Sequence, residues 1–196
     1  ASIAEIERDF LKREQQALME VVAPDGSVID HIDGRTLNPG HAIEMGWFLL
    51  DYARAVGDAA AAQDALDAIE WSLDRGWDPV HGGLYYFLDE QGYSPVQLEW
   101  SMKLWWPHCE ALVACAKAYE YTRDRAWFER WVRVSDWTFG RFPDSAHGEW
   151  FGYLDRQGAV SQRFKGGPYK GFFHVPRALL YTAQALKAAL DPKPIT

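Results

Sequence analysis

Two histidines occupy equivalent positions in a sequence that repeats itself at intervals of 66 and 67 residues. The chain reads Asn-Pro-Gly-His-Ala-Ile-Glu from position 38, Trp-Trp-Pro-His-Cys-Glu from position 105 and Phe-Phe-His-Val-Pro-Arg from position 172. Three residue pairs coincide when the copies are aligned: His41/Glu44, Pro107/Glu110 and His174/Arg177. A repeat supplies the scaffold, so a position at which its copies differ is where a site is expected.

His41 and His174 are the residues best suited to proton transfer. Imidazole titrates near neutral pH, so each ring can act as an acid or as a base. Two bases on opposite sides of a substrate can remove a proton from one face of a carbon and return it to the other. Glu44 and Arg177 each follow a histidine by one helical turn, where they could orient the ring, bond a hydroxyl or hold an oxyanion. The alternative is an intrahelical contact without a catalytic role.

The other four histidines carry weaker signals. His31, His81 and His147 are expected to be structural or surface residues, and the matching loop positions of His81 and His147 suggest that they stabilise turns. His108 lies beside the second copy of the repeat, and either role stays open. No metal is expected, because the sequence lacks the His-Glu-x-x-His pattern of zinc proteases and offers only a His-x-x-Glu spacing.

A glycine-rich segment with two lysines precedes the third copy of the repeat. It reads Lys-Gly-Gly-Pro-Tyr-Lys-Gly over residues 165–171. The Gly-Lys-Ser/Thr of a Walker A loop is absent, so the segment either contacts an anion or forms a turn.

Composition limits the classes of function. With 48% hydrophobic and 24% charged residues the chain has the composition of a globular protein, and a net charge of −8 argues against nucleic-acid binding. No apolar run approaches a membrane span, and no secretory signal is visible. Cys109 and Cys115 lack the spacing of a metal site and are expected to be free thiols, which favours the reducing cytoplasm. The 29 aromatic residues fit either a large core or a carbohydrate site.

Helical periodicity predicts an all-α helical-hairpin toroid. Six helices are predicted at 2–21, 40–56, 58–76, 102–122, 125–139 and 172–190. Segments 81–92 and 147–158 also repeat and predict short β-hairpins in the loops. Residues 1–196 are therefore expected to form one region of 66–67-residue repeats, with the N-termini of the inner helices around one mouth. Three hairpins cannot close such a ring alone.

Four segments resemble the N-acylglucosamine 2-epimerase family, which includes renin-binding protein. They are residues 37–50, 97–112, 148–154 and 165–177, in the family's order and through nearly the whole chain. The resemblance implies an (α/α)6 barrel of six hairpins and the interconversion of N-acetylglucosamine and N-acetylmannosamine. It implies no cofactor for the chemistry, with ATP acting as an activator rather than as a phosphate donor.

The resemblance also implies roles for individual residues. The family's catalytic pair matches His41 and His174. Its substrate-binding positions match Glu44, Lys103, Trp106, Glu110 and Arg177. The segment proposed to contact the nucleotide matches Lys165, Gly166, Gly167 and Lys170.

Only the second half of the family's barrel is covered, so the chain contains three hairpins where the family has six. It is a fragment, an engineered half-barrel, or a half that pairs with a second copy in a C2 homodimer. Besides the amino-sugar 2-epimerase, two alternatives stay open. One is an aldose–ketose isomerase that moves the proton to C1 through the same enediolate, and the other is an inactive half-barrel that serves as an interaction module.

Overall fold

A computed structural model describes residues 2–191 and contains five long helices within that range. They are α2 (Pro39–Val56), α3 (Ala59–Gly76), α4 (Trp105–Thr122), α5 (Arg125–Phe139) and α6 (His174–Leu190). Each predicted boundary of these five lies within three residues of the observed one. Asp58 caps α3, because its carboxylate accepts hydrogen bonds from the N–H groups of Ala60 and Ala61.

The helices form antiparallel hairpins, as predicted. Two residues join α2 to α3 and two join α4 to α5, and the members of each pair pack together. Helix α4 also packs against α2 and α6, so α2, α4 and α6 form an inner layer with α3 and α5 outside it. Among the described residues two hairpins are complete, and α6 is the inner helix of the third.

Helix α4 is the centre of the core. Its residues from Trp105 to Ala116 are all buried, and small side chains allow neighbouring helices to approach closely. The two cysteines on this helix are free and fully buried, as predicted for free thiols. Burial raises the pKa of the Cys115 thiol to about 12 and that of Cys109 well above its usual value, so both are unreactive at neutral pH.

The first predicted helix, 2–21, is wrong beyond its midpoint. Helix α1 (Ser2–Glu5) continues as a π-helical turn (Ile6–Phe10), and the chain then forms the antiparallel strands β1 (Leu11–Lys12) and β2 (Ala17–Leu18). Ala17 and Met19 alternate towards one face and pack against Leu37. This two-residue period places the segment in extended structure, where helical spacing had been expected.

The loop strands brace each helical hairpin at its open end. Strand β3 (Thr36–Leu37), before α2, pairs with β4 (Leu88–Asp89), after α3. Likewise β5 (Lys103–Leu104), before α4, pairs with β6 (Tyr153–Leu154), after α5, and β6 pairs with β7 (Val160–Gln162). The predicted β-hairpin therefore forms in the second loop copy. The first copy contributes the strand β4 but, within the described residues, no equivalent of β7.

Aspartates, rather than histidines, hold the repeated turns. The Asp78 carboxylate accepts the N–H groups of Val80 and His81, and Asp144 repeats this arrangement in the second copy. The His147 ring adds a 3.4 Å contact to Asp144. The turn-stabilising role predicted for His81 and His147 thus belongs mainly to Asp78 and Asp144, which lie three positions earlier.

No helix among residues 2–191 combines the length and the apolar character required to cross a bilayer.

Candidate active site

A cavity of about 710 Å³ opens where α2, α4 and α6 begin. The helix starts contribute His41, Glu44, Trp105, Trp106 and His174 to its wall. The loops contribute polar and aromatic side chains, among them Tyr86, Glu99, Tyr153, Gln162 and Tyr169. The N-termini of the three inner helices therefore lie around one mouth, as the spacing of the repeat predicts.

The two predicted catalytic histidines both lie against Trp106. The His41 ring centroid is 5.0 Å from the indole, and the His174 ring centroid is 5.9 Å from it. Gly40 makes room for this indole, since a Cβ on Gly40 would lie 2.6 Å from the Trp106 ring. The first copy of the repeat thus has glycine where the second has tryptophan because the two positions touch. Trp106 offers the cavity a flat apolar face beside two imidazoles.

His41 is held from both its backbone and its ring. The Asn38 side chain caps α2 by accepting the His41 N–H. The His41 Nδ1 lies 2.9 Å from a Glu20 carboxylate oxygen. Because a carboxylate only accepts, Nδ1 carries the proton and donates it, which leaves Nε2 for other partners. This hydrogen bond, against the opposing effect of burial, raises the pKa of His41.

His174 belongs to a buried charge network. Its Nδ1 donates to Glu110 over 2.7 Å, and the Trp47 indole N–H donates to the other Glu110 oxygen over 2.9 Å. One nitrogen of the Arg177 guanidinium bonds both Glu110, at 2.6 Å, and Glu44, at 2.5 Å. Both histidines therefore have Nδ1 bound to a carboxylate.

Glu44, Glu110 and His174 place three potential metal ligands within 4.8 Å of one another. The Arg177 guanidinium already bridges the two carboxylates. Its positive charge stands where a metal ion would be needed, so these residues are assigned to an ion-pair network.

Three of the five predicted substrate-binding residues do not line the cavity. Glu110 is fully buried behind His174, and Arg177 is engaged with the two glutamates. The Lys103 ammonium is completely buried 3.3 Å from Asp78 and lies 3.9 Å from the centre of the Tyr85 ring. Burial lowers the pKa of Lys103 to about 8. Of the five residues, Glu44 and Trp106 are the ones that line this cavity.

His108 is a structural residue. Its ring is fully buried, donates from Nδ1 to the Leu104 carbonyl over 2.6 Å, and accepts the Leu84 N–H at Nε2 over 2.9 Å. It stacks on Trp137 at 4.7 Å. Burial lowers the pKa of His108 to about 3, so the ring is neutral at physiological pH.

The predicted nucleotide segment uses its lysines internally. Lys165 bonds the Gly148 carbonyl and pairs with Asp144, whereas Lys170 is buried and bonds Glu149 and the Lys165 carbonyl. Both ammonium groups are thus neutralised within the fold. The lysines do not fit a phosphate site, and Gly166 and Gly167 lie in a turn closed by the Gly167 N–H.

Sequence reasoning missed Glu20 and Trp47 as supports of the two histidines. Glu20 lies outside the repeat, in a segment predicted to be helical, so no pattern connected it to His41. Trp47 lies within the predicted helix 40–56, and only the structure shows that its indole N–H donates to Glu110.

The chain matches known proteins both in sequence and in fold. The family model of N-acylglucosamine 2-epimerase (GlcNAc 2-epimerase) matches residues 3–178. The N-acylglucosamine 2-epimerase of Bos taurus is 48% identical over 182 residues, covering 92% of this chain and 43% of that protein. The enzyme of Mus musculus is 45% identical, covering 94% and 45%. This chain thus spans less than half of either relative.

A solved structure shares the fold at low sequence identity. Cellobiose 2-epimerase from Bacillus thermoamylovorans superposes with a TM-score of 0.77 at 22% identity, covering 93% of this chain and 45% of that one. The likeness confirms the helical-hairpin toroid.

Proposed function

Because the chain belongs to the N-acylglucosamine 2-epimerase family, we propose that the cavity binds an amino sugar and inverts it at C2, interconverting N-acetylglucosamine and N-acetylmannosamine. The observation that carries this proposal is the convergence of His41 and His174 on Trp106 in one cavity. A packing role for both imidazoles would not explain why each exposes its ring to the same cavity while a carboxylate holds its Nδ1.

The reaction follows from these two groups. The sugar opens to its aldehyde, whose carbonyl acidifies the C2–H. One neutral imidazole takes the C2 proton, and the electron pair moves towards the C1 carbonyl to give an enolate that carries the acetamido group at C2. The other ring, as imidazolium, gives a proton to the opposite face of C2, so the configuration changes while the oxidation state does not. Trp106 provides an apolar face for the sugar C–H groups, and Glu44 is placed to bond a hydroxyl.

The test is turnover of N-acetylglucosamine in D₂O by the full chain and by the His41→Asn and His174→Asn variants. We expect N-acetylmannosamine with deuterium at C2, and a loss in each variant of about a hundredfold or more. His147→Asn is the matched control, since its ring lies at an exposed turn away from the cavity. Full turnover in either cavity variant would refute the two-histidine proposal.

The identity of the products distinguishes the proposed 2-epimerase from the main alternative, an aldose–ketose isomerase. An aldose–ketose isomerase would return the proton to C1 and would produce fructose from mannose. Nuclear magnetic resonance of the products from N-acetylglucosamine and from mannose distinguishes the two reactions. ATP as an activator stays a prediction, without direct support from the internally paired lysines.

We extend the proposal to assembly. Phe48 and Tyr52 on α2 and Leu180 on α6 each expose two fifths or more of their surface. Exposed apolar side chains of this size favour coverage, either by a second copy or by the remaining half of a full-length barrel. Solution mass measured beside the turnover assay decides whether the chain acts as a homodimer.

A further inference from the structure

We infer that Glu20 is a positioning residue for His41: it fixes which ring nitrogen faces the cavity and stabilises the protonated ring. The inference rests on the proposed function for its catalytic meaning. The hydrogen bond itself is a property of the fold.

Within the described residues, the Glu20 carboxylate interacts with the His41 ring alone. The carboxylate lies 2.9 Å from His41 Nδ1, and within residues 2–191 it has no other hydrogen bond or ion pair. The contrast with Glu110 is informative. Glu110 divides its charge among His174, Arg177 and Trp47, whereas Glu20 directs its whole charge at one ring.

The backbone that carries Glu20 is anchored to the start of α2. Met19 is buried against Leu37, and its N–H bonds the Phe10 carbonyl. Leu37 immediately precedes Asn38, which caps α2 at His41. One small apolar cluster therefore fixes both partners of the hydrogen bond. Because the backbone next to each partner is anchored in this way, the hydrogen bond between Glu20 and His41 is preorganised.

Few other charged groups face His41. Glu44 lies on the same helix and is paired with Arg177. Glu99 lines the same cavity, and His174 lies across Trp106. None of these is within hydrogen-bonding distance of Nδ1, so Glu20 alone determines the tautomer. With Nδ1 committed, Nε2 is the nitrogen that exchanges protons with a ligand.

The experiment compares four variants of the chain by ¹⁵N imidazole resonances during a pH titration. Glu20→Gln keeps an acceptor but removes the charge, so we expect a lower pKa of His41 with Nδ1 still protonated. Glu20→Ala removes both, so the neutral tautomer shifts towards protonated Nε2. Glu20→Asp restores part of the effect. Glu14→Gln removes an exposed charge from the same segment and leaves His41 unchanged.

Turnover completes the test wherever the chain is active. Glu20→Ala should lower kcat by about tenfold or more while KM stays the same, and Glu20→Asp should recover most of the loss. A His41 titration that is identical in Glu20→Ala and in the parent chain overturns the inference, as does a shifted titration with unchanged kcat. Normal turnover by His41→Asn would instead refute the proposed function and leave the titration result standing.

Discussion

His108 gives a quantitative test of the division between structural and catalytic histidines. Its buried ring accepts a backbone N–H at Nε2, and protonation there would set two donors against each other. The folded state therefore keeps the ring neutral down to about pH 3. In the unfolded chain the same ring takes up a proton below about pH 6.5.

The sign and size of the effect follow from linkage. A depressed pKa in the folded state means that the unfolded state binds more protons as pH falls, so the stability contributed by His108 is present above about pH 6.5 and is lost below it. The loss approaches about 1.4 kcal/mol per pH unit and amounts to about 2 kcal/mol at pH 5.

The assay is urea unfolding followed by tryptophan fluorescence between pH 7.5 and pH 5, for the parent chain and for His108→Gln. The variant does not titrate at this position, so its deficit in unfolding free energy should shrink by about 2 kcal/mol over that range. Other groups titrate equally in both chains and cancel. His147→Gln, at an exposed turn, is the control substitution. A deficit for His108→Gln that is constant with pH would refute the reasoning.

The remaining predictions concern the scaffold. Gly82 and Gly148 both have φ of +72°, but a Cβ on Gly82 would lie 2.6 Å from the Trp137 ring, whereas one on Gly148 meets nothing within 4 Å. Gly148→Ala should therefore cost about 1 kcal/mol of unfolding free energy and Gly82→Ala about 1–3 kcal/mol more; equal costs would contradict the close approach. Lys103→Met should lower stability by about 2 kcal/mol, because the buried Asp78 carboxylate loses one of its two cations and keeps Arg156, while sugar affinity measured by calorimetry stays unchanged. A loss of sugar affinity without a loss of stability would instead support the substrate contact that the sequence analysis assigned to Lys103.

Several of the long helices could be predicted because they carry a local signal. Asp58 and Asp124 cap α3 and α5 where the sequence predicts a start, and apolar residues recur at helical spacing along α2 and α5. The segment after Phe10 could not be predicted in the same way. Its strands exist because Ala17 and Met19 pack on Leu37, a contact between distant parts of the chain.

The position of the candidate site could be predicted in outline, but the side chains around it could not all be placed. The repeat identified His41 and His174, since equal positions on equivalent helices must converge. It could not tell which neighbouring side chains reach the cavity. Lys103 forms a buried ion pair with Asp78, and Arg177 forms ion pairs with Glu44 and Glu110. These outcomes depend on partners 25 and 133 residues away, which no local spacing encodes.

The strand pairs at the open ends of the hairpins have a consequence for how such a chain can change in evolution. Strands β3 and β4 bring the entry and exit of the α2–α3 unit side by side, and β5 and β6 do the same for α4–α5. A unit whose two ends are adjacent can be duplicated or inserted without displacing its neighbours. All of these ends lie at the mouth, so each added copy brings one new helix start to the cavity, where a single substitution can give it chemistry that the other copies lack.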